Sequence, residues 1–171
     1  MPIDVDRLVY QPLSVDDVFD DFTSSDNDLA DFLRLMSKTY HSLSIGFTHV
    51  VRHEGQVVGY FTLASADIRV KTMGQRERIP GAERVEHYPA VLIGRLAVDH
   101  RFANQGIGKR ILQVVYGLVT EVRQRVAVRF LLVNTTQGSQ SWWQERGFTF
   151  LGDPSGRRQP FMYLDIERME H

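Results

Sequence analysis

The segment "RLAVDHRFANQGIGKRIL", residues 95–112, runs from an apolar stretch through a Gly-x-Gly turn into an apolar pattern at helical spacing. Such a junction can hold an anion. The first amides of a helix have no internal acceptor, and the helix dipole adds partial positive charge at that end. Gly106 and Gly108 carry no side chain that would keep a phosphate away from this backbone. Lys109 and Arg110 fall in the first helical turn, where the dipole disfavours cations, so they fit better beside a bound anion. Turns and close helix packing also need glycine, and Gly-x-Gly alone leaves both readings open. A dinucleotide fold would want G-x-G-x-x-G after the first strand, and a P-loop would want G-x-x-x-x-G-K-[ST]; the sequence contains neither arrangement.

Other residues could also carry chemistry. Arg95 is a cation inside the apolar run "LIGRLAV", which costs free energy unless it is paired or faces a cleft; a structural ion pair and substrate binding both satisfy that requirement. Glu86 and His87 could act as a base through water or stand as a solvated loop pair, His100 reads as a turn residue, and Tyr163 is a candidate proton donor. The histidines are scattered without H-E-x-x-H spacing, and there is no cysteine, so a metal site is not expected.

These residues need a framework. "VDRLVYQPL" reads as a first strand closed by Pro12, and "SVDDVFDDF" as a short helix capped by Ser14. "DNDLADFLRLMSKTY" spaces Leu29, Phe32, Leu33 and Met36 as a second helix, with Asp26 or Asn27 as its cap. Phe47–Arg52 and Val57–Ala64 form a hairpin turned by "HEGQ", and the polar segment "RVKTMGQRERIPGAERVEHYP" is a long excursion of the functional kind. "AVLIGRLAVD" is a buried strand, "GIGKRILQVVYGLVTEVRQR" an amphipathic helix, "VAVRFLLVN" a strand, and "SQSWWQERG" a short helix ending at Gly147. "FTFLG" and "FMYLDIERM" read as two last strands, which makes a mixed α/β sheet covered by helices.

The chain has 171 residues, 43% apolar and 24% charged, as expected for one globular domain. The opening "MPIDVDRLVY" lacks the basic and apolar blocks of a secretory signal, and no apolar run approaches the ~20 residues of a membrane span, so a cytoplasmic protein is expected. Net charge is −1 but unevenly placed: the first 31 residues hold nine aspartates and one base, Arg7. Between Arg101 and Arg129 the bases are Arg101, Lys109, Arg110, Arg123, Arg125 and Arg129, against Glu121 alone. They read as solvated helix positions or as a phosphate-attracting face; the near-neutral total speaks against a protein devoted to duplex DNA.

"GRLAVDHRFANQGIGKRIL" followed, after a strand, by "SWWQERGF" resembles the GCN5-related N-acetyltransferases, or GNAT family. Its pattern [QR]-x-x-G-x-[GA] falls on "ANQGIG", and a later motif like "FYEKxGF" falls on "WWQERGF". The resemblance implies one domain over residues 1–171 with a mixed, mostly antiparallel sheet of about six to seven strands flanked by about four helices. It implies acetyl-CoA as cofactor and direct transfer of acetyl to a primary amine. The pyrophosphate would lie on the loop of Ala103, Asn104, Gln105, Gly106, Ile107, Gly108, Lys109 and Arg110, and the pantetheine arm along the edge of Leu96, Ala97 and Val98, with Asn134 bonding the arm. The amide near Val98 would polarise the thioester carbonyl. Ala103 departs from the usual Gln or Arg, and Leu92 stands where some relatives carry a glutamate base. Trp143 replaces a tyrosine thought to protonate the leaving thiolate; Trp142 and Trp143 could equally pack on the sheet. "FTSSDNDLADFL", "VVGYFTLAS" and "YPAVLIGRLAVD" are most similar to the branch containing acetyltransferase toxins of toxin–antitoxin pairs. The acceptor implied is a small amine, a peptide or protein amine, or aminoacyl-tRNA, with a homodimer, tRNA and an antitoxin as the partners the resemblance admits. An acyl-CoA-binding sensor without catalysis is the competing reading, kept open by Trp143.

Overall fold

A computed structural model describes residues 2–136, 138–157 and 159–169. The strands are β1 (Val9–Pro12), β2 (Phe47–His53), β3 (Gln56–Arg69), β4 (His87–Val98), β5 (Phe130–Asn134), β6 (Thr149–Phe150) and β7 (Phe161–Asp165). The helices are α1 (Asn27–Asp31), α2 (Ser37–Ser42), α3 (Ile107–Arg123), α4 (Gln140–Glu145) and α5 (Ile166–Met169). The sheet order is β1-β2-β3-β4-β5-β7-β6. β4 and β5 run parallel, whereas β1–β2, β2–β3, β5–β7 and β6–β7 are antiparallel. This is the mixed, mostly antiparallel sheet expected from the sequence. The chain divides into two compact units, residues 1–64 with 94–120, and residues 65–93 with 121–171.

In the first unit the core gathers Phe22, Phe32, Leu33, Val50, Tyr60 and Ala97. The β2–β3 hairpin turns on Glu54 and Gly55, both with positive φ (50° and 80°), the backbone that matches the twist of the flanking strands. Gly59 lets β3 lie close to its neighbours: a Cβ there would sit 2.9 Å from the Ala97 carbonyl oxygen and 3.2 Å from Ile111 Cδ1. Along α3, Ile107, Ile111, Leu112, Val115 and Val119 are buried at i, i+4 spacing, while Leu118 is only half-buried.

Two expectations in this unit are corrected. Residues 14–22 form turns, not a helix. The Ser14 amide donates to Asp17 (2.8 Å) and the Asp16 amide to the Ser14 hydroxyl (3.3 Å), which closes one turn without propagating. Asp17 is then held by Arg52 at 2.7 Å, and Val15 and Val18 are exposed, so the segment has no apolar stripe to bury as a helix. The first strand begins only at Val9, because Asp4 accepts the Asp6 amide and winds Val5–Arg7 into a 3-10 turn. The second helix does form, with Asp26 accepting the Asp28 amide at its start (2.9 Å), but it is interrupted. Over Phe32–Met36 the chain widens to a π turn, in which the Ser37 amide reaches the Phe32 carbonyl five residues back.

In the second unit Ile68, Met73, Tyr88, Phe130, Leu132 and Tyr163 form the core. The excursion between β3 and β4 closes on itself where the Val70 amide donates to the Glu86 carbonyl (2.9 Å). The last strand stops at Asp165 and does not continue through Met169 as expected. The Asp165 carboxylate accepts the Glu167 amide (3.1 Å) and so starts α5.

Candidate active site

In the first unit, the end of β4 is fixed by a buried carboxylate. The Asp99 amide donates to the Val58 carbonyl (2.8 Å), and the Asp99 side chain, with no solvent exposure, accepts from the Thr23 amide and hydroxyl. It also accepts from Arg101 Nε (3.0 Å), Arg101 Nη2 (2.9 Å) and the Arg101 amide (2.9 Å). Burial alone would raise the Asp99 pKa. The hydrogen bonds from Arg101 and from the Arg101 and Thr23 amides outweigh it and hold the carboxyl below its ordinary value. His100 is a turn residue, as expected, with its amide on the Thr23 carbonyl.

The backbone then turns left-handed at Asn104 (φ 61°) and Gly106 (φ 81°), and Phe102 and Ile107 bury their side chains on either side of the turn. Gly106 faces open space, for a Cβ there would meet nothing within 4 Å. The first bond of α3 runs from the Arg110 amide to the Gly106 carbonyl (3.1 Å). Among the described residues the amides of Gly106, Ile107, Gly108 and Lys109 have no acceptor, which leaves four donors at one helix start beside an uncrowded glycine. Ala103, Asn104 and Lys109 are exposed around them. Gln105 is engaged, its Oε1 accepting the Ile3 amide (2.7 Å). Arg110 is engaged too: its amide closes the first turn, and its guanidinium pairs with Asp6 and reaches Gln113 Oε1 (3.2 Å). Its place in the first turn therefore has an explanation inside the protein, whereas Lys109 has no ion pair among the described residues.

Successive amides of an extended chain face opposite edges. Since the Asp99 amide is spent on Val58 of β3, the Val98 amide points to the other edge. The parallel register of β4 with β5 covers Ala90↔Phe130 to Ile93↔Val133, so Leu96, Ala97 and Val98 lie past its end. Arg95 stacks on the Phe32 ring, 3.7 Å from its centroid, at the π turn. It makes no ion pair among the described residues, so the structural salt bridge envisaged from the sequence is not how this cation is accommodated. Its charge is felt by Tyr60, whose phenol burial pushes far above its ordinary pKa, a rise that Arg95 opposes. That phenol donates to the Leu29 carbonyl (2.5 Å).

In the second unit, Asn134 ends β5 opposite Phe161, and its Oδ1 is buried without a hydrogen-bond partner. A buried, unsatisfied amide oxygen calls for an N–H donor from elsewhere. Trp143 is 5% exposed and meets Trp142 and Phe148 edge to face at 4.8 and 5.0 Å. It is a core ring; the half-buried Trp142 instead carries the Arg146 guanidinium on its face (3.8 Å). Tyr163 donates to Glu77, and its pKa is pushed up to about 12, first by burial and then by that carboxylate, so it is a poor acid. His87 pairs with Asp67 in the open. It begins β4 and Val98 ends it, so at ~3.3 Å per residue Glu86 and His87 stand at the opposite end of the strand from the Val98 amide. Leu92 is half-buried on the same strand.

Sequence reasoning missed the Thr23–Asp99 clamp, the Asp6–Arg110 pair and the Tyr163–Glu77 bond. Their partners are 76, 104 and 86 residues apart, and no local pattern announces them. Among the described residues no helix is long and apolar enough to cross a membrane, and no group of His, Asp and Glu is placed to hold a metal.

The model of the acetyltransferase (GNAT) family matches residues 14–148. The chain belongs to that family. A curated relative, a tRNA-acetylating toxin of Mycobacterium tuberculosis (strain ATCC 25618 / H37Rv), is 28% identical over 113 residues, 66% of this chain and 66% of its own length. Solved structures agree in fold. A bacterial toxin superposes with a TM-score of 0.84 at 15% identity, covering 100% of this chain and 97% of its own. AtaTR bound with acetyl-CoA gives 0.78 at 21% identity, covering 96% and 97%. AtaT complexed with acetyl-methionyl-tRNAfMet gives 0.77 at 20% identity, covering 95% and 97%.

Proposed function

We propose that this GNAT protein is an N-acetyltransferase that moves the acetyl group of acetyl-CoA onto the α-amine of an aminoacyl-tRNA. The residues present fit the cofactor. The open amides of Gly106, Ile107, Gly108 and Lys109 suit a diphosphate, and exposed Lys109 adds charge without an internal partner. The edge of Leu96–Val98 suits the amides of an extended arm; in the second unit, taken by itself, the orphaned Asn134 oxygen is open to an N–H donor. Bound there, acetyl-CoA would supply a thioester carbonyl open to an amine, and the Val98 amide would be the donor to its oxygen, a contribution of about 3 kcal/mol when one such donor is removed elsewhere.

The acceptor assignment rests on Leu92. It stands where some relatives carry a glutamate base, and it cannot take a proton. An α-amine, with a pKa of about 7.8, is roughly one-third neutral at about pH 7.5 and needs little help, whereas a lysine amine of pKa about 10.4 is only ~0.1% neutral. The tRNA-acetylating activity named for the M. tuberculosis relative and the acetyl-methionyl-tRNAfMet complexed with AtaT are consistent with this choice. Trp143 is given no proton to move; a thiol of pKa about 8.5 leaves as the anion. Arg95, stacked and unpaired, is assigned to an anionic group of the acceptor.

Thiol release from acetyl-CoA, followed with charged tRNAs, lysine peptides and small amines, tests the proposal. At least tenfold higher kcat/KM for a charged tRNA is expected, with N-acetylated amino acid recovered from it. Preferential turnover of a lysine peptide or small amine would overturn the acceptor assignment. Saturable acetyl-CoA binding with no turnover of any acceptor would favour the sensor reading.

A further inference from the structure

The sequence has two stretches rich in bases, and the structure treats them differently. Between residues 101 and 129, Arg101 is paired with Asp99, Arg110 with Asp6, Arg123 with Glu167 and Arg129 with Asp165. Most of that charge is neutralised by the protein itself. The excursion carries Arg69, Lys71, Arg76, Arg78 and Arg84 against Glu77, Glu83 and Glu86, and none of these five cations makes an ion pair among the described residues. Two of its three carboxylates are turned elsewhere, Glu77 accepting from the Tyr163 phenol and Glu83 accepting the Gly81 amide (2.9 Å), while Glu86 is exposed at the base of the loop and the five cations still outnumber the acids. Nearby Asp67 is committed to His87.

The loop is also held in shape. Val70 and Glu86 close its base, Met73 is buried, and Val70, Ile79 and Ala82 pack on the core of the second unit. The Ile79 amide donates to the Tyr88 phenol (2.9 Å), and Arg78 Nε to the Met73 carbonyl (3.3 Å). Apolar residues thus point in, while Arg69, Lys71, Arg76 and Arg84 remain exposed. A fixed loop displaying unneutralised cations suits a polyanion, because its ordering is already complete before the partner arrives.

We propose that the exposed cations of this excursion, Arg69, Lys71, Arg76 and Arg84, form the surface that grips the phosphate backbone of the RNA acceptor. The inference rests on the aminoacyl-tRNA reading above. It assigns RNA binding to the excursion and not to the 101–129 face.

The test compares the unaltered protein with R69A/K71A/R76A/R84A and with the charge-preserving R69K/K71R/R76K/R84K, measuring affinity for a charged tRNA against salt and thermal protection by acetyl-CoA. Each phosphate contact contributes roughly 0.7–0.9 to the log–log salt slope, so the alanine variant, with four contacts removed, should lose about 3 from that slope and bind about 100-fold more weakly at low salt. The charge-preserving variant should restore both, and acetyl-CoA should protect all three proteins, which excludes misfolding. An unchanged affinity and slope in the alanine variant, with the unaltered protein acetylating charged tRNA, would overturn this inference alone. If the unaltered protein neither binds nor acetylates charged tRNA, the acceptor reading fails and this surface assignment falls with it.

Discussion

Replacing Gly106 by glutamate probes the proposed cofactor loop with little structural damage. A Cβ at this position meets no atom within 4 Å, so the added side chain displaces nothing in the protein. The cost to folding comes from its φ of 81°, which disfavours any side chain by about 1–2 kcal/mol. The cost to binding comes from charge. A carboxylate about 5 Å from each of two phosphate charges, at an effective dielectric constant of ~40, loses ~1.7 kcal/mol per charge, or roughly 2–3 kcal/mol in total after salt screening. Acetyl-CoA should therefore bind about 30- to 150-fold more weakly by calorimetric titration. Gly106→Gln shares the strain and bulk without the charge, and should lose much less. Acetyl-CoA affinity in Gly106→Glu within threefold of the unaltered protein, with the variant still folded, would show that the diphosphate lies elsewhere.

Other positions give independent expectations. Gly59→Ala pushes a methyl to 2.9 Å from a backbone oxygen and should destabilise the protein by about 2 kcal/mol in urea unfolding. Asp99→Ala leaves the Thr23 amide and Arg101 without their acceptor and should cost about 3–5 kcal/mol. Because the folded Asp99 pKa is depressed, its contribution is present above the unfolded value of about 3.9 and is lost as pH falls through the lower folded value, which acid titration of stability in the unaltered and Asp99→Asn proteins would reveal. Tyr163→Phe should cost about 1–2 kcal/mol and speed amide exchange in residues 70–86, and the ultraviolet phenolate titration should lose a step near pH 12. Arg95→Ala should raise KM for the proposed aminoacyl-tRNA acceptor while leaving acetyl-CoA affinity unchanged, and Arg95→Lys, which loses the planar stacking, should rescue it only in part.

Where a local pattern decides the structure, the sequence was readable. The β-branched and aromatic residues of Phe47–Arg52, the i, i+4 series of α3 and the glycines of the loop each carry their own geometric demand, and all three elements form as expected. Ser14 illustrates the opposite case. Its capping pattern is genuine and its amide does reach Asp17, yet Val15 and Val18 find nothing to pack against while Arg52 pins Asp17 from across the fold, so the turn does not propagate. The site divides in the same way. The open amides at Gly106–Lys109 follow from a strand, a glycine turn and a helix in sequence order, whereas the neutralisation of Arg110 by Asp6 and the core packing of Trp143 depend on residues brought together only by the fold. Charge runs are the least legible feature of all, since two similar basic stretches differ only in where their acids sit.

Backbone amide resonances offer the most direct view of the cofactor loop. On titration with acetyl-CoA, the nitrogen-15 correlation peaks of Gly106, Ile107, Gly108 and Lys109 should move downfield more than any others in the chain, as four free donors meet a diphosphate. Inorganic pyrophosphate should move the same four at higher concentration. Saturation by acetyl-CoA with those four peaks unmoved would contradict the placement of the cofactor on this helix start.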